Sequence, residues 1–258
     1  MPVGCGATSL DDLRTRVARL ERHTPSDGAP AILPFGVASL DGLLPGGGLA
    51  RGALHEAVGA GSDSGHGAAA ALFVAAILAR LDGPVLWAAV RFDLFAPALA
   101  AVGLPPSRVL HVEAGREVLA AMEEGLRHPG LVGVVGEVAG RLTLTTSRRL
   151  HLAAEASGAV AFALRRPARP DDPHLTEPNA AVTRWRVTPL PSPPPLPHAP
   201  DVPGLGRPRW RLDLVRARGG MPVSFLVEAP DAEGHLAVPA DLADRPAAAA
   251  PPRLRATG

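Results

Sequence analysis

The chain has 258 residues, of which 47% are hydrophobic and 20% are charged, so we expect a folded α/β core with extensions rather than a disordered polymer. Its formal net charge of +1 gives no indication of nucleic-acid binding by itself. The single cysteine, Cys5, excludes a disulfide framework and a thiolate metal site.

The hydropathy pattern predicts a cytoplasmic protein without a membrane partner. The longest apolar run, residues 68–81, is too short to cross a bilayer and contains Arg80 near its end. A signal peptide needs an apolar stretch near the N-terminus. Here that stretch is interrupted by four charged residues, Asp11, Asp12, Arg14 and Arg16.

The first 30 residues are predicted to be a helix followed by a linker. Ser9 is a suitable N-cap for a helix over residues 9–22. The arginines of this segment lie on one face of the predicted helix. The opposite face carries apolar residues at helical spacing, namely Leu10, Leu13, Val17 and Leu20. Residues 23–30 contain proline and glycine and are predicted to be the linker.

Strands and helices alternate over the next part of the chain. The strands are predicted at 54–58, 84–90, 109–112, 131–138 and 160–164, and the helices at 68–81, 93–102, 116–127 and 144–157. The helix at 68–81 is apolar on all sides, which indicates burial between layers. The strand at 131–138 shows no polar alternation, which is typical of a central parallel strand. This order predicts an α/β fold with a mostly parallel sheet between helices.

The pattern changes after residue 165. Residues 182–188 and 209–216 alternate apolar and charged side chains, which predicts half-exposed antiparallel strands. Residues 189–203 contain eight prolines and are predicted to form a stiff excursion between them. A last strand is predicted at 223–228. The core is therefore assigned to residues 31–230, with a C-terminal antiparallel extension, and residues 231–258 are predicted to be a disordered tail.

A glycine-rich segment lies between the predicted strand at 54–58 and the helix at 68–81, where a phosphate-binding loop would lie. A working loop needs a lysine at the β- and γ-phosphates and a hydroxyl on Mg²⁺. Here His66 stands at the lysine position and Gly67 at the hydroxyl position, while Asp63 adds negative charge; the chain contains no lysine at all. The degenerate loop comprises Gly59, Gly61, Ser62, Asp63, Ser64, Gly65, His66 and Gly67.

This loop predicts that the protein does not hydrolyse ATP and needs no cofactor. Residual binding of a nucleotide or another anion stays open, because backbone N–H groups and the helix dipole do not depend on the missing lysine. Ser64 lacks the glycine spacing of a nucleophile elbow and is interpreted as a loop residue. The nine histidines do not cluster, so no metal site is predicted.

The segment FGVASLDGLLPGGGLARG at 35–52 carries a family resemblance, together with RWRLDLVRARGG at 209–220 and the broken phosphate loop. Over residues 33–228 the order of elements resembles the RecA recombinase core. More narrowly, the chain is similar to the ImuA family, the RecA-like accessory proteins of bacterial damage-induced mutagenesis. The resemblance implies a RecA-like fold.

The resemblance also implies that other catalytic positions are lost. Arg91 stands where the recombinases carry the glutamate that activates water, and Arg165 stands in place of their nucleotide-sensing glutamine. Glu137 persists as the acid that ends a core strand, one methylene longer than the usual aspartate. We expect Glu137 to pair with an arginine, Arg91 or Arg165, in preference to binding a metal.

By resemblance, the protein is expected to be a non-catalytic factor of SOS-type DNA damage tolerance that acts in translesion synthesis. The implied partners are ImuB, which is an inactive Y-family-like protein, an error-prone replicative-type polymerase, and RecA. The predicted helix at 9–22 is the expected docking element, by analogy with the recombinases. The protein would then associate with the nucleoid when bound. The alternative is a cell-division inhibitor similar to SulA that binds FtsZ, although that family is much shorter.

Arginines near the late strands make DNA contact a further hypothesis. An arginine beside an aromatic residue can bind the phosphate backbone while the ring stacks on a base, and Trp185 and Trp210 lie among the arginines. The alternative is a solvated strand face with both tryptophans in the core. The candidate DNA contacts are Arg165, Arg166, Arg169, Arg184, Arg186, Arg209 and Arg211.

Overall fold

The computed structural model describes residues 31–91, 93–196, 198–199 and 201–239. The helix and linker predicted for residues 1–30 lie outside the described residues, as do residues 240–258 of the predicted tail.

From residue 53 onward the elements follow one another as the sequence predicts, with small shifts in their ends, whereas the two short strands and the short helix before residue 51 were not predicted. The strands are β1 (Ile32–Leu33), β2 (Leu49–Ala50), β3 (Ala53–Gly59), β4 (Val85–Ala89), β5 (Val109–Glu113), β6 (Gly133–Val138), β7 (Val160–Arg165), β8 (Thr183–Leu190), β9 (Arg209–Ala217) and β10 (Val223–Glu228). The α-helices are α1 (Ala38–Asp41), α2 (Ala68–Ala79), α3 (Ala96–Ala101), α4 (Val118–Arg127) and α5 (Leu144–Ser157).

Eight strands form one mixed sheet in the order β10-β9-β8-β3-β7-β6-β4-β5, while β1 and β2 form a small antiparallel pair. Neighbours from β8 to β5 are parallel, and β9 and β10 add to the other end in antiparallel register. The predicted α/β class, with its mostly parallel sheet and antiparallel extension, is thus confirmed.

Two details of the extension differ from the prediction. The strand β8 pairs in parallel with β3 on one side and antiparallel with β9 on the other, so it lies inside the sheet rather than in a half-exposed ribbon. It also continues through Pro189 and Leu190, which pair with Trp210 and Arg209. The missing N–H of Pro189 is tolerated because this end of β8 extends beyond β3 and has only one neighbour.

Helices cover both faces of the sheet and create two hydrophobic cores. The core on one face contains α2, α3 and the segment around α1, and it holds the larger aromatic side chains. The core on the opposite face lies beneath α4 and α5, which contact each other as well as the sheet. This arrangement positions the carboxyl ends of the parallel strands along one edge, where the connecting loops meet.

Helix α2 is buried on nearly all sides, as its composition predicts, because further segments of the chain cover its outer face. Phe73 of α2 packs between Phe35 and Trp185, with ring centroids 6.1 and 5.6 Å away. Residues 231–239 also pack here: Gly234 lies against Ala76, and Leu236 is buried. The disordered tail predicted from residue 231 is therefore wrong for residues 231–239, whose single leucine joins the core.

A chain of buried hydrogen bonds links β8 to the start of β3. The Trp185 indole N–H donates to Thr183 Oγ1 at 2.8 Å, and Thr183 lies 2.7 Å from His55 Nδ1. His55 Nε2 lies 2.8 Å from the Ala50 carbonyl, to which it donates. Burial lowers the pKa of His55 from 6.5 to about 4, although the hydrogen bond to Ala50 opposes this. His55 is therefore a neutral core residue at pH 7.

The buried imidazole predicts an acid-dependent loss of stability. Because the folded-state pKa of His55 lies below its unfolded value, its contribution is complete above pH 6.5 and declines as the pH falls toward 4. Protonation should remove about 3 kcal/mol of unfolding free energy over that interval. We expect His55→Gln, whose amide does not titrate, to flatten this part of the stability profile in urea titrations at pH 7, 5.5 and 4. Parallel profiles for both proteins would contradict this role of His55.

Candidate functional site

The order of strands brings four loops together at the carboxyl edge of the sheet. The central strands stand in the order β3-β7-β6-β4, so the segments that follow them are neighbours. These segments carry Asp63 after β3, Arg166 after β7, Glu137 within the end of β6, and Asp93 after β4. In open α/β sheets this edge is where ligands bind.

The Arg166 cluster consists of Arg166, Asp63, Asp93 and Glu137. The guanidinium group of Arg166 donates to all three carboxylates: Nε to Asp63 at 2.9 Å, Nη2 to Asp93 at 2.9 Å, and Nη1 to Glu137 at 2.6 Å. The Trp87 indole N–H donates to the other oxygen of Glu137 at 2.9 Å. A side-chain cation thus lies among the carboxylates at the edge where a phosphate and its metal would bind.

The charges of this cluster do not balance, because three carboxylates share one guanidinium. Burial raises the pKa of Glu137, and the negative charges of Asp93 and Asp63 act in the same direction against the hydrogen bond from Trp87 and the charge of Arg166. Burial acts to lower the pKa of Arg166, yet the carboxylate of Glu137 and the other two acids raise it overall. The excess of negative charge disfavours a bound phosphate.

The segment at the phosphate-loop position folds onto itself. Residues Asp63–Gly67 form a π-helical turn ahead of α2. The N–H groups of Gly65 and His66 donate to the Ser62 carbonyl at 3.1 and 2.9 Å. A phosphate loop directs such groups at its ligand. Here both N–H groups donate to a carbonyl of the same segment.

Side chains occupy the concave side of this turn. The His66 imidazole lies against Gly61 and the backbone of His66 lies against Gly59, so closely that a Cβ at either glycine would overlap them. The carboxylate of Asp63 contacts Gly67 in the same manner, so a hydroxyl-bearing side chain at this position would require the Asp63 carboxylate to move. Ser64 donates to Ser62 at 3.3 Å.

Glu137 pairs with an arginine as predicted, but the partner is Arg166 and neither Arg91 nor Arg165. Arg91 is exposed beyond the end of β4. Arg165 faces the opposite side of the sheet, since consecutive residues of a strand alternate between faces.

Arg165 belongs to a second, fully buried group, the Glu56 cluster, which consists of Glu56, Arg165, Asn179 and Arg184. Glu56 of β3 accepts from Arg165 at 2.6 Å, from Arg184 at 2.7 Å and from Asn179 at 2.9 Å. Arg165 is 3% exposed and Arg184 is 9% exposed. Both therefore leave the set of predicted DNA contacts, because their guanidinium groups are inside the fold and share the carboxylate of Glu56.

The remaining candidate DNA contacts are dispersed. Arg186 and Arg211 are exposed on the face of β8 and β9 away from the tryptophans, and Asp213 lies 3.5 Å from Arg211 and opposite Arg186 in register. Arg209 is partly exposed on the same face, whereas Arg169 lies in the loop after β7 beside Asp171 at 3.6 Å. Trp185 and Trp210 are buried, so neither ring can stack on a base.

The described residues contain neither a membrane-spanning helix nor a cluster of metal-ligating side chains. In that part of the chain no helix combines the length and the apolar character needed to cross a bilayer. The same residues contain no group of three or more histidine, cysteine, aspartate or glutamate side chains arranged to hold a metal ion.

Sequence reasoning missed Asp93 and Glu56 as members of the two clusters. Glu56 had a visible signal: it is a charged residue inside an otherwise apolar strand, which indicates a buried partner of opposite charge. Asp93 had none, because it lies in a short loop and its contact with Arg166 spans 73 residues of sequence.

Comparisons with known proteins give one consistent picture. No family model matches the chain. The chain is 42% identical over 235 residues to protein ImuA from two strains of Caulobacter vibrioides, NA1000 / CB15N and ATCC 19089 / CB 15, a match that covers 85% of this chain and 93% of the relative. Its fold is similar to that of the RadB recombinase in its crystal structure, with a TM-score of 0.55, 15% identity, and coverage of 81% of this chain and 100% of the other.

The Glu56 cluster predicts a strong effect of a small substitution. Glu56→Gln leaves two buried guanidinium groups without a carboxylate, and we expect it to lower the unfolding free energy by about 3–5 kcal/mol. The matched control is Glu124→Gln, because Glu124 is largely exposed and only loosely paired with Arg127. Urea titration of both variants checks the prediction, and equal midpoints would contradict it.

The Arg166 cluster predicts a destabilisation that depends on pH. Arg166→Met leaves Asp63, Asp93 and Glu137 close together without their cation. We expect this to lower the unfolding free energy by about 2–4 kcal/mol at pH 7. Loss of the Arg166 charge removes an interaction that lowers the pKa of Glu137, so this pKa should rise further in the folded variant. The loss of stability should therefore shrink as the pH falls and Glu137 takes up a proton.

Urea titrations at pH 7 and pH 4.5 measure this deficit. The control is Arg169→Met, which removes an exposed arginine from the same loop. A deficit of Arg166→Met that stays constant with pH would mean that Arg166 acts through packing and not through its charge.

Proposed function

The chain belongs to the ImuA family, and on that premise we propose that it is a non-catalytic RecA-like accessory factor in DNA damage-induced mutagenesis. The observation that carries the proposal is the Arg166 cluster, in which the chain's own guanidinium binds the carboxylates that a nucleotide-bound metal would approach. The RecA-like fold is retained, while side chains occupy the carboxyl edge of the sheet, where a nucleotide would bind.

Several features support the absence of catalysis. His66 stands at the lysine position, and its imidazole packs against Gly61 of the same segment. The exposed residue after β4 is Arg91, which cannot act as the base that activates water. The loop N–H groups of Gly65 and His66 already have an acceptor. We infer that nucleotide binding, if present at all, contributes nothing to function.

A RecA-like core without hydrolysis still provides surfaces for assembly. We propose that the protein assembles with ImuB, an inactive Y-family-like protein, and through it with an error-prone replicative-type polymerase in translesion synthesis, and that it contacts RecA. Residues 1–30 are the proposed docking segment, since their predicted helix has a narrow apolar stripe (Leu10, Leu13, Val17 and Leu20). The protein would act in the cytoplasm and at the nucleoid.

Direct DNA contact is the less supported part of this proposal. Burial removes Arg165, Arg184 and both late tryptophans from any DNA interface, and Arg166 is committed to its cluster. Arg186, Arg209 and Arg211 keep one modest basic face, which Asp213 partly neutralises. We therefore propose that partners, and not this arginine face, bring the protein to DNA. No observation favours the division-inhibitor alternative.

The proposed function predicts stoichiometric binding of the purified protein to ImuB in isothermal titration calorimetry. Deletion of residues 1–30 should weaken this binding at least about tenfold, because the apolar stripe contributes more than 1.4 kcal/mol when it is buried. If the truncated protein binds as tightly as the full chain, the interface lies on the described core and not on residues 1–30. No binding by either protein would contradict the assembly role.

Addition of ATP and Mg²⁺ to the same titrations tests the non-catalytic role. We expect an unchanged dissociation constant and no release of phosphate. A nucleotide-dependent shift in affinity, or phosphate release above that of a buffer control, would contradict a non-catalytic role.

A further inference from the structure

An open groove of about 480 Å³ lies between the C-terminal halves of α4 and α5. Its apolar lining comes from Leu126 of α4 and from Leu152, Ala153 and Ala156 of α5. Leu152 is 52% exposed and Ala156 is also exposed. In the described part of the chain, apolar surface here therefore faces solvent between two helices, and the two alanines permit the close approach of a third helix.

The polar atoms of the groove are already paired. Glu123 lies at its floor with 8% exposure and accepts hydrogen bonds from Arg127 and Arg149, whose side chains are more than half exposed at the two rims. No unsatisfied charge is therefore offered to a polar ligand. What the groove presents is an apolar strip, which favours an apolar side-chain stripe as the occupant.

The first described residue, Ala31, lies at the same end of the molecule as the C-terminus of α5. The Ala31 carbonyl accepts from the Arg51 N–H at 2.7 Å. The next residue, Gly52, packs against the last turn of α5, where an added Cβ would lie 3.5 Å from both the Ala154 carbonyl oxygen and the Gly158 Cα. Residues 23–30 can span up to about 28 Å, so the preceding segment can reach the groove from this position.

The apolar stripe of residues 9–22 matches the groove in form and length. Leu10, Leu13, Val17 and Leu20 follow a 3-4-3 spacing, which produces a narrow seam suited to the space between two helices. The helices α4 and α5 run in the same direction, because each connects parallel strands. The seam extends over about 15 Å of helix, and the groove lining on α5 over about 12 Å.

We propose that residues 9–22 form a helix that packs into the α4–α5 groove of their own chain. The leucines and Val17 cover Leu152, Ala153 and Ala156, whose apolar surface otherwise stays in contact with water, above the fully buried Leu126. This inference concerns the isolated protein and does not rest on the proposed function. If a partner also binds this segment, it must first release it from the groove, so that assembly and self-binding compete.

Limited trypsin digestion of the full chain tests the proposal. Trypsin cleaves after the arginines of the segment (Arg14, Arg16, Arg19 and Arg22), and cleavage follows the population in which the segment is released. Leu152→Glu places a charge on the groove, and we expect it to accelerate cleavage within residues 14–22 about tenfold. The cleavage rate is read by intact-mass spectrometry of the remaining core.

Leu144→Glu is the matched control, because Leu144 is a leucine of the same helix, 58% exposed, that lies outside the groove lining. It should digest at the wild-type rate. Circular dichroism verifies that both variants are folded, which their exposed positions favour. Equal cleavage rates in wild type, Leu152→Glu and Leu144→Glu would overturn the proposal.

Cross-linking determines which chain supplies the helix. In a Cys5→Ser background, Val17→Cys combined with Ala156→Cys should form a monomeric cross-link with a short bis-maleimide, whereas Val17→Cys combined with Arg186→Cys should not. A cross-link found only in dimers would assign the groove to a second copy and overturn the proposal. No cross-link in the Val17–Ala156 pair would overturn it as well.

Discussion

The guanidinium group of Arg166 binds the carboxylates at three strand ends that would otherwise repel one another. Asp63, Asp93 and Glu137 converge because β3, β6 and β4 end at the same edge of the sheet, and three carboxylates at such distances are unstable without a cation. In a nucleotide-binding relative of this fold, a metal and a lysine can supply positive charge at this edge. In this chain the guanidinium group of Arg166 supplies positive charge at this edge.

Two consecutive arginines at the end of β7 bind carboxylates on opposite sides of the sheet. Arg165 turns into the core and neutralises Glu56 together with Arg184, while Arg166 turns to the carboxyl edge. A lysine would offer a single point charge at either place, whereas the planar guanidinium reaches several acceptors at once. The chain contains only arginine as its strong base, and both clusters use this multiple donation. Their common consequence is that few of the late arginines remain available for a nucleic acid.

The membership of the ImuA family and the occupied nucleotide edge lead to the same functional conclusion from different observations. One rests on 42% identity over 85% of the chain and the other on the contacts of a single side chain. The likeness to RadB adds the fold alone. Helical grooves and exposed strand faces are the other surfaces that the described residues present. The α4–α5 groove is an apolar surface of this kind, and residues 9–22 are its proposed occupant.

The sequence by itself determined the order of the elements, the burial of α2, the parallel sheet and the loss of the phosphate-loop lysine, because each depends on residues close together in the chain. It could not determine that Glu137 binds Arg166 instead of Arg91 or Arg165, nor that Glu56 removes Arg165 and Arg184 from the surface. These pairs join residues 29 to 128 positions apart. Their formation depends on which strands are neighbours and which face each residue occupies, and only the assembled sheet decides that.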